Sequence, residues 1–233
     1  MELTLKNTGI LRVNTWIVPL TESTVFIVDP ACCKLSGDAD VLISYLDKKG
    51  LTPLGIFLTH GHFDHIMGLK VLKERWPDIA IAIHKNDQQC IGSNSLIRQR
   101  QFLAAMGAED YDLLDAVSNL PEASFILEDG NTLDKAVVDC DETVKSALSQ
   151  WKVIHTPGHT SGCVCFYNEK EKILLCGDTI FYGSYGRTDL YDGDEVLIKK
   201  SIVKVMETVS DDVKIYPGHD RFGFTLKDYK LFF

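Results

Sequence analysis

Six residues constrain this chain more than any other stretch: His60-Gly61-His62-Phe63-Asp64-His65, directly after the apolar run Gly55 to Thr59. Crowding three imidazoles into six positions is unfavourable unless a cation or carboxylates offset their mutual repulsion. The apolar run reads as a buried strand, so the cluster begins where that strand ends. In a loop leaving a strand, His60 and His62 can point the same way and grip one metal ion. Asp64 and His65 then turn with the start of a helix and can reach a second. Imidazole with carboxylate suits Zn²⁺, Fe²⁺ or Mn²⁺, and no cysteine stands among them to select a softer ion. The competing reading is a polar strand-to-helix turn capped by Asp64, which accounts for one acid but not for three crowded imidazoles.

Seven histidines occur in the 233 residues, and two more of them repeat the strand-end placement. His159 lies in Thr156-Pro157-Gly158-His159-Thr160, after the strand-like Trp151 to His155. His219 lies in Tyr216-Pro217-Gly218-His219, after Val213 to Ile215. Asp178 lies in Cys176-Gly177-Asp178-Thr179, after Ile173 to Leu175. A glycine precedes each of the three, which lets the backbone turn sharply beside a crowded centre. Strand ends of this kind are where α/β sheets gather ligands. His84 and His155 read as hydrogen-bonded structural histidines.

Periodicity predicts strands over 11–19 and 24–28, a helix over 36–50 closed by Gly50, a strand over 55–59, a helix over 65–76 and a strand over 79–84. That alternation is an α/β pattern. Helical patterns over 95–106 and 111–117 break the rhythm, so 85–120 reads as a helical insertion. A hairpin is expected from 125–127 and 133–138 around Asp129-Gly130-Asn131, and 139–149 reads as a loop or short helix. Strands follow over 151–155, 163–167 and 173–176, then an amphipathic helix over 194–209 and a last strand over 213–216. With no repeat and no linker, 1–233 reads as a single domain.

Charge and cysteine usage narrow the partners. Thirty-three acids against 24 bases leave a net charge of -9 with no basic block. A phosphate backbone would be repelled, so nucleic acid is not an expected partner. No apolar run reaches a membrane-spanning length, and the first 20 residues lack a secretory signal pattern. The seven cysteines are odd in number and have no C-x-x-C spacing. They read as free thiols of a cytoplasmic chain.

Taken in order, T-H-x-H-x-D-H, T-P-G-H-T, G-D and P-G-H resemble the metallo-β-lactamase superfamily, over about residues 11–219. The resemblance implies an αββα sandwich, two mixed sheets face to face with helices outside. It implies two divalent metal ions, zinc first, with iron or manganese as alternatives. His60, His62 and His159 would hold one ion, Asp64, His65 and His219 the other, and Asp178 would bridge them. It further implies a shared hydroxide that attacks an activated carbonyl, with Asp64 orienting that nucleophile as well as binding.

The segment from Tyr182 to Leu190 resembles the G-R-T-D loop of small glyoxalase II-like hydrolases and of persulfide dioxygenases. It implies substrate contacts from Tyr185, Arg187 and Asp189, and a small-molecule acyl substrate such as a glutathione thioester. The other reading of Arg187 is an ion pair with Asp189. Glyoxalase II has a tyrosine at the Asp189 position and a C-terminal helical domain, whereas 14 residues follow His219 here. The 85–120 insertion, with Arg98, Arg100, Phe102 and Met106, is then the candidate wall of the pocket. The alternatives are a mononuclear iron persulfide dioxygenase and a non-catalytic metal-binding scaffold.

Overall fold

The computed structural model describes residues 1–108 and 110–232. The first half of the chain builds one sheet. Strands β1 (Thr4–Thr8), β2 (Val13–Pro19) and β3 (Thr24–Val28) form an antiparallel meander. Helix α1 (Ala39–Lys49) then crosses over to β4 (Thr52–Phe57), parallel to β3. Gly50 closes α1 in the left-handed conformation, as its position predicts. Short helices α2 (Phe63–Ile66) and α3 (Leu69–Arg75) lead to β5 (Ala80–His84). A 3₁₀ turn (Lys85–Cys90), α4 (Ser95–Ala105) and α5 (Tyr111–Ala116) then lead to β6 (Phe125–Leu127), and both strands extend the sheet in parallel.

The second half builds the other sheet. After α6 (Glu142–Ser149), strands β7 (Trp151–His155), β8 (Val164–Asn168) and β9 (Ile173–Gly177) run antiparallel. A small hairpin, β10 (Ile180–Phe181) and β11 (Ser184–Tyr185), precedes α7 (Glu195–Thr208). Strand β12 (Lys214–Pro217) joins β9 in parallel, β13 (Phe224–Thr225) forms the edge, and α8 (Leu226–Tyr229) follows.

Alternation along the strands sorts side chains into three apolar layers. Phe26, Val28 and Phe57 of the first sheet meet Trp151, Val153, Phe166 and Leu175 of the second. The opposite face of the first sheet, Val25, Ile27, Ile56 and Ile81, packs on Leu42 and Leu46 of α1 and Leu69 and Leu72 of α3. The outer face of the second, Cys165, Leu174 and Ile215, packs on Ile198, Ile202 and Val205 of α7. Two mixed sheets lie face to face with helices outside, which is the expected sandwich. Because both faces of each sheet are covered, β3, β8 and β9 read as continuous apolar runs.

The structure adds one strand, corrects two expected elements and decides between two readings of a fourth segment. Thr4–Thr8 is a strand that polar Lys6 and Asn7 conceal in the sequence. The 65–76 helix is two helices, broken at Met67 and Gly68, where a Cβ on Gly68 would strike the Pro30 carbonyl. The 125–138 hairpin does not form. Residues Leu133–Lys135 make a 3₁₀ turn, and β6 finds its partner in β5. The 139–149 segment contains α6, capped by the Asp141 carboxylate, which accepts from the Val144 amide at 2.9 Å.

Candidate metal centre

Strands β3, β4, β9 and β12 all end at one rim of the sandwich, and the polar residues that follow them meet there. The loop after β4 supplies His60 and His62. The first turn of α2 supplies Asp64 and His65, which are buried. Asp64 makes no N-cap: His62 occupies that position and caps with no side-chain bond. His159 follows β7, Asp178 follows β9 and His219 follows β12. Glycine is needed here for space. A Cβ on Gly177, whose φ is +48°, would collide with Thr59 Oγ1, and one on Gly218 would collide with Asp178 and His65.

Three overlapping donor groups result: His60, His62 and His159; Asp64, His65 and His219; and Asp29 with His60 and His65. Within each, the ligand atoms lie within 4.8 Å of one another. Asp178 lies between the first two, with Oδ1 3.5 Å from His65 Nε2 and Oδ2 3.5 Å from His159 Nε2. Its Oδ2 is also 3.7 Å from His219 Nε2. Asp64 Oδ2 is 3.2 Å from His219 Nε2 and 3.5 Å from His65 Nε2.

Hydrogen bonds behind the rings fix which nitrogen faces inward. Thr59 Oγ1 donates to Asp29 Oδ2 at 2.6 Å, so it accepts from His60 Nδ1 at 3.1 Å. His65 Nδ1 donates to the same Asp29 oxygen at 3.1 Å. His159 Nδ1 donates to the Arg187 carbonyl at 2.7 Å. The Nε2 atoms of all three rings are thereby turned to the centre. Nε2 of His159 approaches His62 Nδ1 to 2.8 Å. Among the described residues, His60 Nε2, His62 Nε2 and Asp178 Oδ1 are buried without a hydrogen-bond partner. Buried donors without partners are strongly unfavourable, and a divalent cation is the group that this set of imidazoles and carboxylates fits.

The electrostatics agree. Burial, reinforced by the neighbouring imidazoles, pushes His60 and His62 well below the ordinary histidine range. Burial also acts to lower His65, but the Asp64, Asp178 and Asp29 carboxylates overcome it and raise His65 to about 10. Burial would raise Asp64, yet His65 and His219 together hold it below the usual carboxylate range.

The substrate residues expected from the sequence fall differently. Arg187 and Asp189 are exposed and form a bidentate pair, Nε to Oδ1 at 2.7 Å and Nη2 to Oδ2 at 2.8 Å. Tyr185 is half-buried and reaches Glu195 Oε1 at 3.5 Å. The helical segment between β5 and β6 touches the centre through one ring. Phe102 of α4 meets the His62 ring edge-on at 4.5 Å and Tyr191 at 6.2 Å, and the Arg98 guanidinium lies 4.5 Å over Tyr191.

Two supporting acids escape sequence reasoning. Asp29 anchors Thr59 and His65. Asp87 is buried and accepts from the Gly61 amide at 2.8 Å and the Thr160 hydroxyl at 2.7 Å, joining the two loops that carry His62 and His159. The available signal is that both stand just past an apolar strand.

A two-sheet sandwich with clustered histidines and aspartates on one rim defines a metal-binding α/β protein. The profile of the metallo-β-lactamase superfamily matches residues 8–219, and the chain belongs to that superfamily. A probable metallo-hydrolase of Bacillus subtilis is 28% identical over 204 residues, 86% of either chain. A hydroxyacylglutathione hydrolase of Crocosphaera subtropica is 30% identical over 214 residues, which are 90% of this chain but 63% of that relative. The BLEG-1 B3 metallo-β-lactamase superposes with a TM-score of 0.78 at 26% identity, over 97% of this chain and 95% of that one. Among the described residues no helix is long and apolar enough to cross a membrane.

Proposed function

We propose that this chain is a dinuclear metal hydrolase that cleaves a thioester or similarly activated acyl substrate, of the hydroxyacylglutathione type. The observation that carries the reading is the pair of donor groups, His60 with His62 and His159, and Asp64 with His65 and His219, whose ligand atoms lie within 4.8 Å of one another inside each group. His60, His62 and His159 would hold one ion, Asp64, His65 and His219 the other, and Asp178 would join them. Two divalent ions supply Lewis acidity, which polarises a carbonyl and lowers the pKa of a water towards 7.

The remaining work belongs to the chain. Asp29, Thr59 and the Arg187 carbonyl keep the ring nitrogens aimed inward. Asp64, held ionised by His65 and His219, orients the attacking water by accepting a hydrogen bond from it at a carboxylate oxygen. The ring of Phe102 against His62, and that of Phe181 at 6.4 Å from His219, limit water on two sides. Residues 1–233 act as a single catalytic domain in this reading, with 85–120 as its inserted wall. The hydroxyacylglutathione hydrolase relative supports a thioester substrate. The free thiols, six of the seven buried, support a reducing, cytoplasmic setting.

The test is metal quantification on the purified protein beside turnover of S-D-lactoylglutathione. Two metals with thioester cleavage are expected. A single iron, with oxygen consumed on glutathione persulfide, would replace this reading with the dioxygenase. Zinc is the expected metal, and the same donors accept iron or manganese.

A further inference from the structure

Around the metal centre most arginines are already engaged. Arg187 is paired with Asp189, Arg98 bonds Gln89 and Gln101, and the Arg221 guanidinium lies 3.8 Å over the Tyr182 ring. Arg12 differs. It sits at the turn between β1 and β2, and among the described residues its guanidinium has neither a carboxylate within 4.0 Å nor a hydrogen-bond acceptor.

Arg12 lines a groove of about 310 Å³ together with Asn7, Leu11, Asn14, His219 and Phe222. His219 is thus a shared wall, facing the donor cluster and bordering the groove. The groove is braced. The Asn14 amide donates to the Gly218 carbonyl at 2.6 Å, and Asn14 Nδ2 donates to the Pro217 and Asp220 carbonyls at 3.1 Å each. Asn7 Nδ2 donates in turn to Asn14 Oδ1 at 2.7 Å. With the Asn14 side chain spent on structure, Arg12 is the cation left to meet a ligand. Both banks hold a non-glycine residue at positive φ, Arg12 at +55° and Asp220 at +60°. Such conformations are unfavourable and persist where the surroundings impose them, often beside ligands.

We propose that this groove is the subsite for a carboxylate-bearing end of the substrate, with Arg12 as its anchor. The proposal rests on the acyl-hydrolase reading above and names the substrate's second recognition point. A lone guanidinium offers one positive charge in a planar fork, which matches a carboxylate. Leu11 and Phe222, each exposed to nearly half their area, offer apolar contact to the segment between carboxylate and acyl group. Asp220 is the one acid in the lining, and it makes no ion pair with Arg12.

Calorimetric titration of the metal-loaded protein with S-methylglutathione and with its diethyl ester tests this. The wild type should bind the acid at least tenfold more tightly than the ester. Arg12→Ala should erase that preference and Arg12→Lys should keep part of it, with metal content and melting temperature unchanged in both. No binding of the acid, equal affinity for acid and ester, or a preference that survives Arg12→Ala would overturn the proposal. Turnover is scored separately. An Arg12-dependent preference in a two-metal protein that leaves S-D-lactoylglutathione intact would sink the thioesterase reading while the subsite stood.

Discussion

Asp29 accepts the Nδ1 proton of His65, the Thr59 amide and the Thr59 hydroxyl, so one carboxylate sets His65 directly and His60 through Thr59. Its φ of +51° is one that asparagine tolerates, so Asp29→Asn changes the charge and keeps the backbone. That variant should fold and bind metal about 10–100-fold more weakly in chelator competition. Undiminished affinity would show that the rings need no orienting acid. Asp87 makes a pH-dependent contribution. Burial raises its carboxyl to about 6, against the pull of Thr160 and the Gly61 amide. The folded chain therefore binds this proton more tightly than the unfolded chain, whose value is 3.8. The stabilisation is complete below about pH 4 and is lost as pH rises to about 6, a change on the order of 3 kcal/mol. In metal-free protein, Asp87→Asn should gain stability relative to wild type across that window in urea unfolding. Parallel curves would count against the assignment. The donors themselves were legible because each stands directly past an apolar run or within the dense His60–His65 cluster. Asp29 obeys the same rule, but Asp29-Pro30 reads as turn punctuation, and its partners lie 30 and 36 positions away.

At the scale of elements, α7 shows how a helix start positions a donor. The Asp194 carboxylate accepts from the Val196 and Leu197 amides at 2.8 and 2.9 Å, while its own amide donates to the Gly158 carbonyl at 2.7 Å. The cap of α7 and the turn that carries His159 are thus one unit. Asp194→Ala should cost about 1 kcal/mol, visible as a fall of about 2–4 °C in melting temperature. No change in a thermal scan would mean that neighbouring groups satisfy the end. Periodicity found α1 and α7 because each repeats its apolar face over three or more turns. It failed on the 133–138 segment, where Leu133, Ala136 and Val137 are apolar because they close the inter-sheet core beneath β7. Burial produces the same residue types there as a strand would, and the parallel pairing of β6 with β5 is a long-range fact that no local window contains.

At the scale of the molecule, the two sheets adhere through an aromatic layer. Trp151 meets Phe26 edge-on at 5.3 Å, and Phe26 meets Phe57 at 5.3 Å. Trp151→Ala should cost about 3–5 kcal/mol in chemical denaturation. Trp151→Phe should cost less, because the buried indole N–H has no partner among the described residues to lose. Metal would add a second seam, since each of the two proposed ion sites draws on loops from both sheets. Chelation should therefore lower the melting temperature of the whole chain, whereas a change confined to local fluorescence would show that the rim is uncoupled from the sandwich. The split has a temporal consequence. Four of the seven proposed donors precede residue 66, and the other three come after residue 158. A nascent chain emerging from the ribosome presents the first loop long before its counterparts exist. Ion capture in the proposed arrangement is thus a late event of biosynthesis, deferred until His219 has been made and the second sheet has closed on the first.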